Sequence, residues 1–491
     1  MIRTNILIKF SFLTMLVFAS CKEDFLETEP LGKLSTDIFF QTEDHAVWAT
    51  NAVYNSLREW DVHVFHYIGM TDIVSDDADK GSIPDDAAFL NDLDNFSLDA
   101  GHVSPESVWR GYYRAIYRAN LAIENIPGIA GMDGALKERL VAECRFLRAC
   151  FYFNMVRWFG DLPLIDHPLQ PDEYEQVRAP KEEVYALIIS DLEAAIQGLP
   201  EKSGYTAAET GRATRGAAKG MLAKVYLTLA DFANAEKYAL EVIQSGEYEL
   251  FPNYTTLFQP AGENSSESLF EVQAAAFETG GGATQYNQVQ GVRGSPNLGW
   301  GFNRPSDDLV AAYEPGDPRR EATILYVGEV LPDGSAIVQD NPDMFNERYN
   351  QKAWVPPHPG FQENGPGNIR ILRYADVLLI AAEAANENGK PADALLYLNM
   401  VRTRARGQNI GILPDITETN KDLLRQIIWH ERRVELAMEQ QRWFDLVRQG
   451  RAAQVMKAVG KDFTEGKHEL FPVPQKEIDL GGGRIVQNPG Y

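Results

Sequence analysis

The chain has 491 residues, 44% apolar and 24% charged, a balance that reads as globular rather than disordered. Its 46 basic and 70 acidic residues leave a formal net charge of −24, so no basic surplus exists to displace the counterions of a nucleic acid. Aromatic residues make up 11%, a stock that has to serve either as core or as binding surface.

The first residues set the compartment. "MIRTNILIKF" carries Arg3 and Lys9, "SFLTMLVFA" is an apolar run, and Ala19-Ser20 stand directly before Cys21. That order makes a secretory signal over residues 1–20, too short for a spanning helix. Small residues followed at once by Cys21 resemble the lipobox of bacterial lipoproteins, which implies acylation of Cys21 and a membrane anchor. "KEDFLETEP" then reads as a tether over residues 21–40, and its acidity resembles the surface-export signal of Bacteroidetes lipoproteins. Removing residues 1–21 takes away two bases and no acids, so the mature net charge is about −26. No later apolar run approaches spanning length.

Helical periodicity dominates the rest. Residues 43–60 place Val47, Thr50, Val53, Leu57 and Trp60 at three- and four-residue steps, and 107–126 repeat the pattern up to Pro127-Gly128. A long helix is expected up to Gly160, and it carries Cys144 and Cys150. Six positions apart, these point in different directions and read as buried free thiols. Another helix covers 181–199. Residues 215–250 form a helix pair turning at Asp231, with Leu222, Ala223, Tyr226 and Ala235 at the spacings of the tetratricopeptide (TPR) signature. A second such pair spans 374–406 and turns at Gly389-Lys390-Pro391. Between the pairs, residues 252–368 are rich in Gly, Gln, Asn and Pro with one strand-like run, and 61–98 reads as a similar polar loop. The expectation is a mostly α fold, with a TPR-like helix-pair scaffold, long irregular insertions and little β.

Several segments together resemble the SusD/RagB family of surface lipoproteins. They are "VWRGYYRAIYRANLAIENIP", "AECRFLRACFYFNMVRWFGDLPLI", "GRATRGAAKGMLAKVYL", "GWGFNRPSDDLVAAYEPGDPRR", "ILRYADVLLIAAEAANENG", "ERRVELAMEQQRWFDLVRQG" and the terminal "LFPVPQKEIDLGGGRIVQNPGY". The resemblance implies one SusD-like domain over 41–491, an α/α superhelix. Its N-terminal and TPR-like helices would cover 41–250, a loop-rich insertion 252–368, and C-terminal helices and tail 369–491. It further implies a non-catalytic nutrient-binding lipoprotein exposed on the outer membrane. Such a protein captures a glycan, or in some members a peptide, for a SusC-like TonB-dependent transporter on which it sits as a lid. A TPR-type structural adaptor without a small-ligand site is the other reading.

No catalytic constellation appears. His430-Glu431 would need a second histidine at 434 to make a zinc-protease helix, and that residue is Val434. No phosphate-binding loop occurs, and no cofactor is expected. Asp72, Asp76, Asp77 and Asp79, with Gly81 after them, have the oxygen density for Ca²⁺. They lack the EF-hand order and its closing Glu, so a solvated acidic loop is the favoured reading, with His63 and His66 as possible added ligands. Glycan recognition needs flat apolar faces for sugar rings beside amides, carboxylates or guanidinium groups for hydroxyls. The expected platforms are Trp60, Phe65, Tyr67, Phe89, Tyr286, Trp354 and Phe361, with Asp72, Asn91, Asn287, Gln288 and Arg293 as polar companions. A site is therefore expected between residues 60–98 and 284–300. Trp300, inside "GWGFNRP", suits a structural role as well as a binding one. Finally, Trp429–Gly450 is expected as one helix, with Glu431, Glu435 and Glu439 continued by Arg442, Asp445 and Arg448 as a charged stripe. Val434, Ala437, Met438, Phe444 and Val447 would line its apolar side, and its charges would reach "LRYADV".

Overall fold

The computed structural model describes residues 39–276, 282–358 and 365–491. Cys21, the signal segment and Phe361 lie outside these.

Most of the expected helices form, and capping residues explain where they begin. Helix α1 (Glu43–Ser56) starts at Thr42, whose hydroxyl accepts the His45 N–H at 3.3 Å. Helix α2 (Val103–Asn125) is followed by α3 (Gly134–Phe159), capped by Asp133, which accepts from Leu136 N at 2.8 Å. Helix α4 (Lys181–Gly198) precedes the first TPR-like pair, α5 (Arg215–Thr228) and α6 (Phe232–Gln244), the latter capped by Asp231. The second pair is α7 (Tyr374–Glu387) and α8 (Pro391–Arg406), with Pro391 at the first helical position, where its missing N–H costs nothing. Helices α9 (Lys421–Leu436) and α10 (Arg442–Arg448) follow. Each helix from α2 to α8 packs on the next, and α9 packs on α7. Small residues let them approach: Ala217, Ala218 and Ala223 of α5 are all buried, as are Ala375, Ala381 and Ala385 of α7. Tyr226 stacks on Tyr238 of α6 at 5.8 Å. Cys144 and Cys150 are buried and unbridged.

Three two-stranded antiparallel sheets pin the insertion to this scaffold. They pair β1 (Ala78–Gly81) with β3 (Phe302–Pro305), β2 (Ser268–Val272) with β6 (Ile369–Arg373), and β4 (Ile324–Tyr326) with β5 (Arg348–Asn350). The first couples the early segment to the insertion, with Asp79 opposite Arg304. The second runs the strand-like stretch at 268–272 against the strand that leads into α7.

Two expectations about local structure need correction. Residues 61–79 are not a polar loop. A helical turn at Phe65–Ile68 runs into a π-turn at Gly69–Ile73, burying Phe65, Tyr67, Ile68, Met70 and Ile73 in the main core. Successive turns of different pitch erase the steady 3.6-residue period, so the apolar positions look unpatterned in the sequence. Nor is Trp429–Gly450 one helix. It ends at Leu436, and Ala437 is extended while Met438 and Gln440 have φ of +61° and +58°.

The charged stripe is salt-bridged, and in the interior. Glu431, Glu435 and Glu439 are buried, and their partners come from other elements. Arg319 Nη1 donates to Glu431 at 2.6 Å and to Glu435 at 3.1 Å. Arg373 donates to Glu435 at 2.7 Å and to Glu439 at 2.7 Å. Arg402 reaches Glu431 at 2.7 Å, and Arg404 also binds Glu435. The contact with "LRYADV" is thus present through Arg373, and again through Arg432, which binds Asp376 of α7 and Asp445 of α10. These guanidinium groups hold the Glu435 carboxyl far below its usual range against the opposing effect of burial. The apolar residues divide: Val434, Ala437 and Met438 pack with Leu309, Tyr313 and Ile324, whereas Phe444 joins the main core.

Candidate functional site

The insertion carries its own small core. Val292, Leu325, Leu331, Ile337, Met344, Tyr349 and Trp354 pack together, apart from the helical core. On it sits a cavity of about 200 Å³ lined by Asn287, Gln288, Tyr349, Asn350 and Trp354.

Local chemistry fixes its walls. The helical turn Tyr286–Gln290 is anchored by Tyr286 N donating to Thr284 Oγ1 at 2.8 Å. Asn287 Nδ2 donates to the Ala353 carbonyl at 2.9 Å, which ties that turn to the one preceding Trp354. Asn350 Nδ2 donates to Gln290 Oε1 at 2.8 Å, and the Tyr349 hydroxyl donates to the Arg293 carbonyl at 2.9 Å. Gly299 is needed for close approach, because a Cβ there would stand 2.3 Å from the Gln288 carbonyl oxygen. That approach lets Trp300 N donate to the same carbonyl at 2.8 Å.

Two buried polar atoms at this cavity have no hydrogen-bond partner among the described residues: Asn287 Oδ1 and Trp354 Nε1. An acceptor and a donor left open beside an indole ring form the combination that a hydroxyl-bearing ligand would satisfy.

The segments 60–98 and 284–300 do meet, mostly through packed rings. Trp60 stacks on Phe65 at 4.8 Å and meets Trp300 edge-on at 6.0 Å. Phe65 also contacts Phe89 at 5.9 Å and Phe302 at 5.2 Å. Arg293 donates to Ser82 Oγ at 2.7 Å and pairs with Asp86. Trp60, Phe89 and Trp300 are half-buried, as is Asn91, whose carbonyl accepts from Asn95.

Tyr67 and Tyr286 differ from expectation. They are only 4% and 7% exposed, so neither offers a ring face to solvent. Tyr67 packs edge-on against Trp158 at 5.7 Å, and the Tyr286 hydroxyl lies 3.1 Å from Gln440 Oε1. Burial raises both phenols far above their usual range. Asp72 is likewise interior, bonded to Asn303 and Gln440. A loop in sequence terms is core in space, a difference that depends on long-range contacts.

The acidic cluster is not a solvated loop: Asp72, Asp76 and Asp77 are buried. Asp76 takes two bonds from Arg442, at 2.7 and 2.8 Å, and Asp77 binds Arg433 at 2.7 Å. Asp79 pairs with Arg304 at 2.6 Å. Asp76, Asp77 and Asp79 are thus paired with guanidinium groups, while Asp72 is held by the amides of Asn303 and Gln440 and Asp77 Oδ2 keeps no hydrogen-bond partner among the described residues. His63 Nδ1 faces the Leu57 carbonyl at 3.2 Å and His66 Nδ1 faces Ser104 at 3.1 Å, so neither joins the acids. Among the described residues no group of three or more His, Cys, Asp or Glu side chains could hold a metal ion.

A TPR-like helical scaffold bearing a long insertion with its own small core and pocket defines a class of helical solenoid-type recognition proteins. Similarity to known proteins narrows it. The family described as "SusD family" matches residues 266–491, and that described as "Starch-binding associating with outer membrane" matches residues 24–227. SusD-like protein P2 of Formosa agariphila is 30% identical over 98% of this chain and 99% of its own length. The chain therefore belongs to the SusD/RagB family. A structure described as a laminarin binding SusD-like protein superposes with a TM-score of 0.79 at 30% identity, covering 92% of this chain and 100% of that one. Surface glycan-binding protein A from Bacteroides thetaiotaomicron, solved in complex with laminarihexaose, gives 0.77 at 26% identity over 91% and 100% of the two chains.

Proposed function

We propose that this chain is a surface glycan-binding lipoprotein that captures an oligo- or polysaccharide and passes it to a SusC-like TonB-dependent transporter. The observation that carries the reading is the cavity at Trp354, whose indole, 9% exposed, lines the wall from within the small core, and where Asn287 Oδ1 and Trp354 Nε1 have no hydrogen-bond partner among the described residues. An aromatic face takes the C–H side of a sugar ring, while a donor and an acceptor fix hydroxyls. Gln288 and Asn350 supply further amides in its lining. The half-buried Trp60 and Trp300, with Phe65, Phe89, Asn91, Arg293 and the interior Tyr67, Asp72 and Tyr286, act by supporting the neighbouring segment.

Binding without turnover fits the relatives, whose names record laminarin or glycan binding. Outer-membrane association is supported by the second family description. Anchoring would run through Cys21. Among the described residues no helix is long and apolar enough to cross a membrane.

The test is titration of the full chain with laminarin, laminarihexaose, starch and a peptide library, following tryptophan fluorescence, together with pull-down of a transporter. Saturable binding of one saccharide, weakened at least about tenfold by Trp354→Ala, is expected. Binding of peptides alone, or of nothing together with no transporter captured, would overturn it.

A further inference from the structure

A second concave surface shares no residue with the Trp354 cavity. It is a groove of about 590 Å³ between α2, the loop at 163–176 and the turn Gln475–Leu480. Its floor is fixed. Trp109 packs edge-on against Phe159 at 5.0 Å, and the Tyr113 hydroxyl donates to the Pro163 carbonyl at 2.8 Å. Above the floor, Tyr117 and Tyr174 are 50% and 66% exposed, and among the described residues neither ring lies against another aromatic ring. Two large apolar faces are thus left open on a wall whose size falls in the usual range for ligand clefts.

Polar groups with open valences accompany them. The Glu477 carboxylate is half-buried and makes no hydrogen bond or ion pair among the described residues. Burial raises its pKa, as expected of a carboxylate short of donors. Trp109 is 3% exposed, and its indole N–H has no acceptor among the described residues. Gln176 spends its amide N–H on the Glu173 carbonyl at 2.6 Å, which leaves its side-chain oxygen open. Arg110, by contrast, is engaged by Asp61 at 3.1 Å.

We infer that this groove is a second saccharide-binding surface, with Tyr117 and Tyr174 as stacking faces and Glu477, Gln176 and Trp109 as hydroxyl partners. The inference rests on the glycan-capture reading and adds a separate contact for the same ligand class. Stacking needs open ring faces on a groove wall, and Tyr117 and Tyr174 both line this one without forming a ring pair, whereas an ammonium group would want rings gathered around one point. A neutral polyhydroxyl ligand can donate to the carboxylate without bringing a second cation beside Arg110. Two sites on one chain would raise the avidity for a long polysaccharide well above that for a short oligosaccharide.

Affinity electrophoresis and calorimetry on the full chain, with laminarin, starch and laminarihexaose as probes, test this. The variants are Tyr117→Ala with Tyr174→Ala, Glu477→Gln, and Trp354→Ala. The tyrosines are exposed, so the double variant should fold normally, and circular dichroism checks that. The double variant is expected to weaken polysaccharide binding about tenfold, and Glu477→Gln severalfold, while Trp354→Ala removes oligosaccharide binding at the first pocket. If the double variant binds polysaccharide as the parent does while Trp354→Ala does not, the groove inference falls and the first site stands. Loss in the double variant with no effect of Trp354→Ala supports the groove and overturns the first site. If the groove instead takes a lysine-rich peptide through Glu477 and no saccharide, it is a docking site for a cationic partner and the inference is wrong. Absence of saccharide binding by the parent chain overturns both readings.

Discussion

Gln440 holds Asp72 from two sides: its backbone N–H donates to Asp72 Oδ1 at 3.1 Å and its side-chain Nε2 to Oδ2 at 2.7 Å. The residues are 368 positions apart, and the left-handed conformation of Gln440 is what aims both donors at one carboxylate. The break after α9 therefore has a purpose beyond ending a helix. It ties the scaffold to the π-turn, and Asn303, bonded to Asp72 at 3.0 Å, brings in strand β3 beside the candidate site.

That clasp should respond to pH. Burial pushes the Asp72 carboxyl up to about 7, against the lowering effect of its three hydrogen bonds. Its folded value lies above the unfolded one, so its stabilising contribution is complete below about pH 4 and is lost as pH rises through about 7. Buried His63 and His66, both lowered to about 4 chiefly by desolvation, act with the opposite sign as pH falls below their unfolded value. The difference between the parent chain and Asp72→Asn isolates the clasp. Denaturation midpoints between about pH 5 and 8 should fall less steeply with rising pH in Asp72→Asn, and parallel curves would refute the assignment.

Arg319 should be indispensable. It is fully buried against Glu431, Glu435 and Asp317, so Arg319→Met strands carboxylates that remain in the interior. Losing one member of such a network costs about 3–5 kcal/mol, and Arg319→Lys should recover little because a single ammonium cannot span the planar fork. Urea denaturation measures both, and a change below about 1 kcal/mol in Arg319→Met would contradict the arrangement.

Gly299→Ala tests the close approach under Trp300. A methyl group placed 2.3 Å from the Gln288 oxygen forces the backbone apart, with an expected loss of about 1–3 kcal/mol and altered tryptophan emission. Gly134→Ala is the control, since nothing lies within 4 Å of its Cβ position and the residue opens α3. That change should be neutral or slightly stabilising.

Cys144 and Cys150 should resist thiol reagents in the native protein. Burial pushes Cys144 up to about 12 and raises Cys150 as well, so almost no thiolate exists at neutral pH and access is closed. Both should react with Ellman's reagent once the chain is unfolded in guanidinium. Rapid labelling under native conditions would show that the helix α3 environment opens.

Much of the fold is legible in the sequence because helices announce themselves locally. Asp133, Thr214 and Asp231 cap helices where the pattern begins, and small residues at Ala217, Ala223 and Ala235 mark where helices touch. The pair 374–406 is readable for the same reason. The site is legible only in part. Asn287, Gln288 and Trp354 do share a cavity, yet they are brought together by a small core whose members span residues 292–354 and have no local signature. The groove at Tyr117 and Tyr174 carries no sequence signal, because a helical tyrosine such as Tyr117 reads as core until its neighbours are known and Tyr174 lies in a loop with no periodicity.

What the sequence alone determined is the helical scaffold, the placing of its turns and its acidic, guanidinium-rich composition, since propensity, capping and periodicity act within a few residues. What only the tertiary structure decided is which side of each segment meets water. Tyr67 and Asp72 look like loop residues and are interior, while Asp76 and Asp77 look like ligands and are neutralised by Arg442 and Arg433. Burial and charge pairing of this kind join residues hundreds of positions apart, and the free energy that selects them belongs to the assembled core rather than to any segment of the chain.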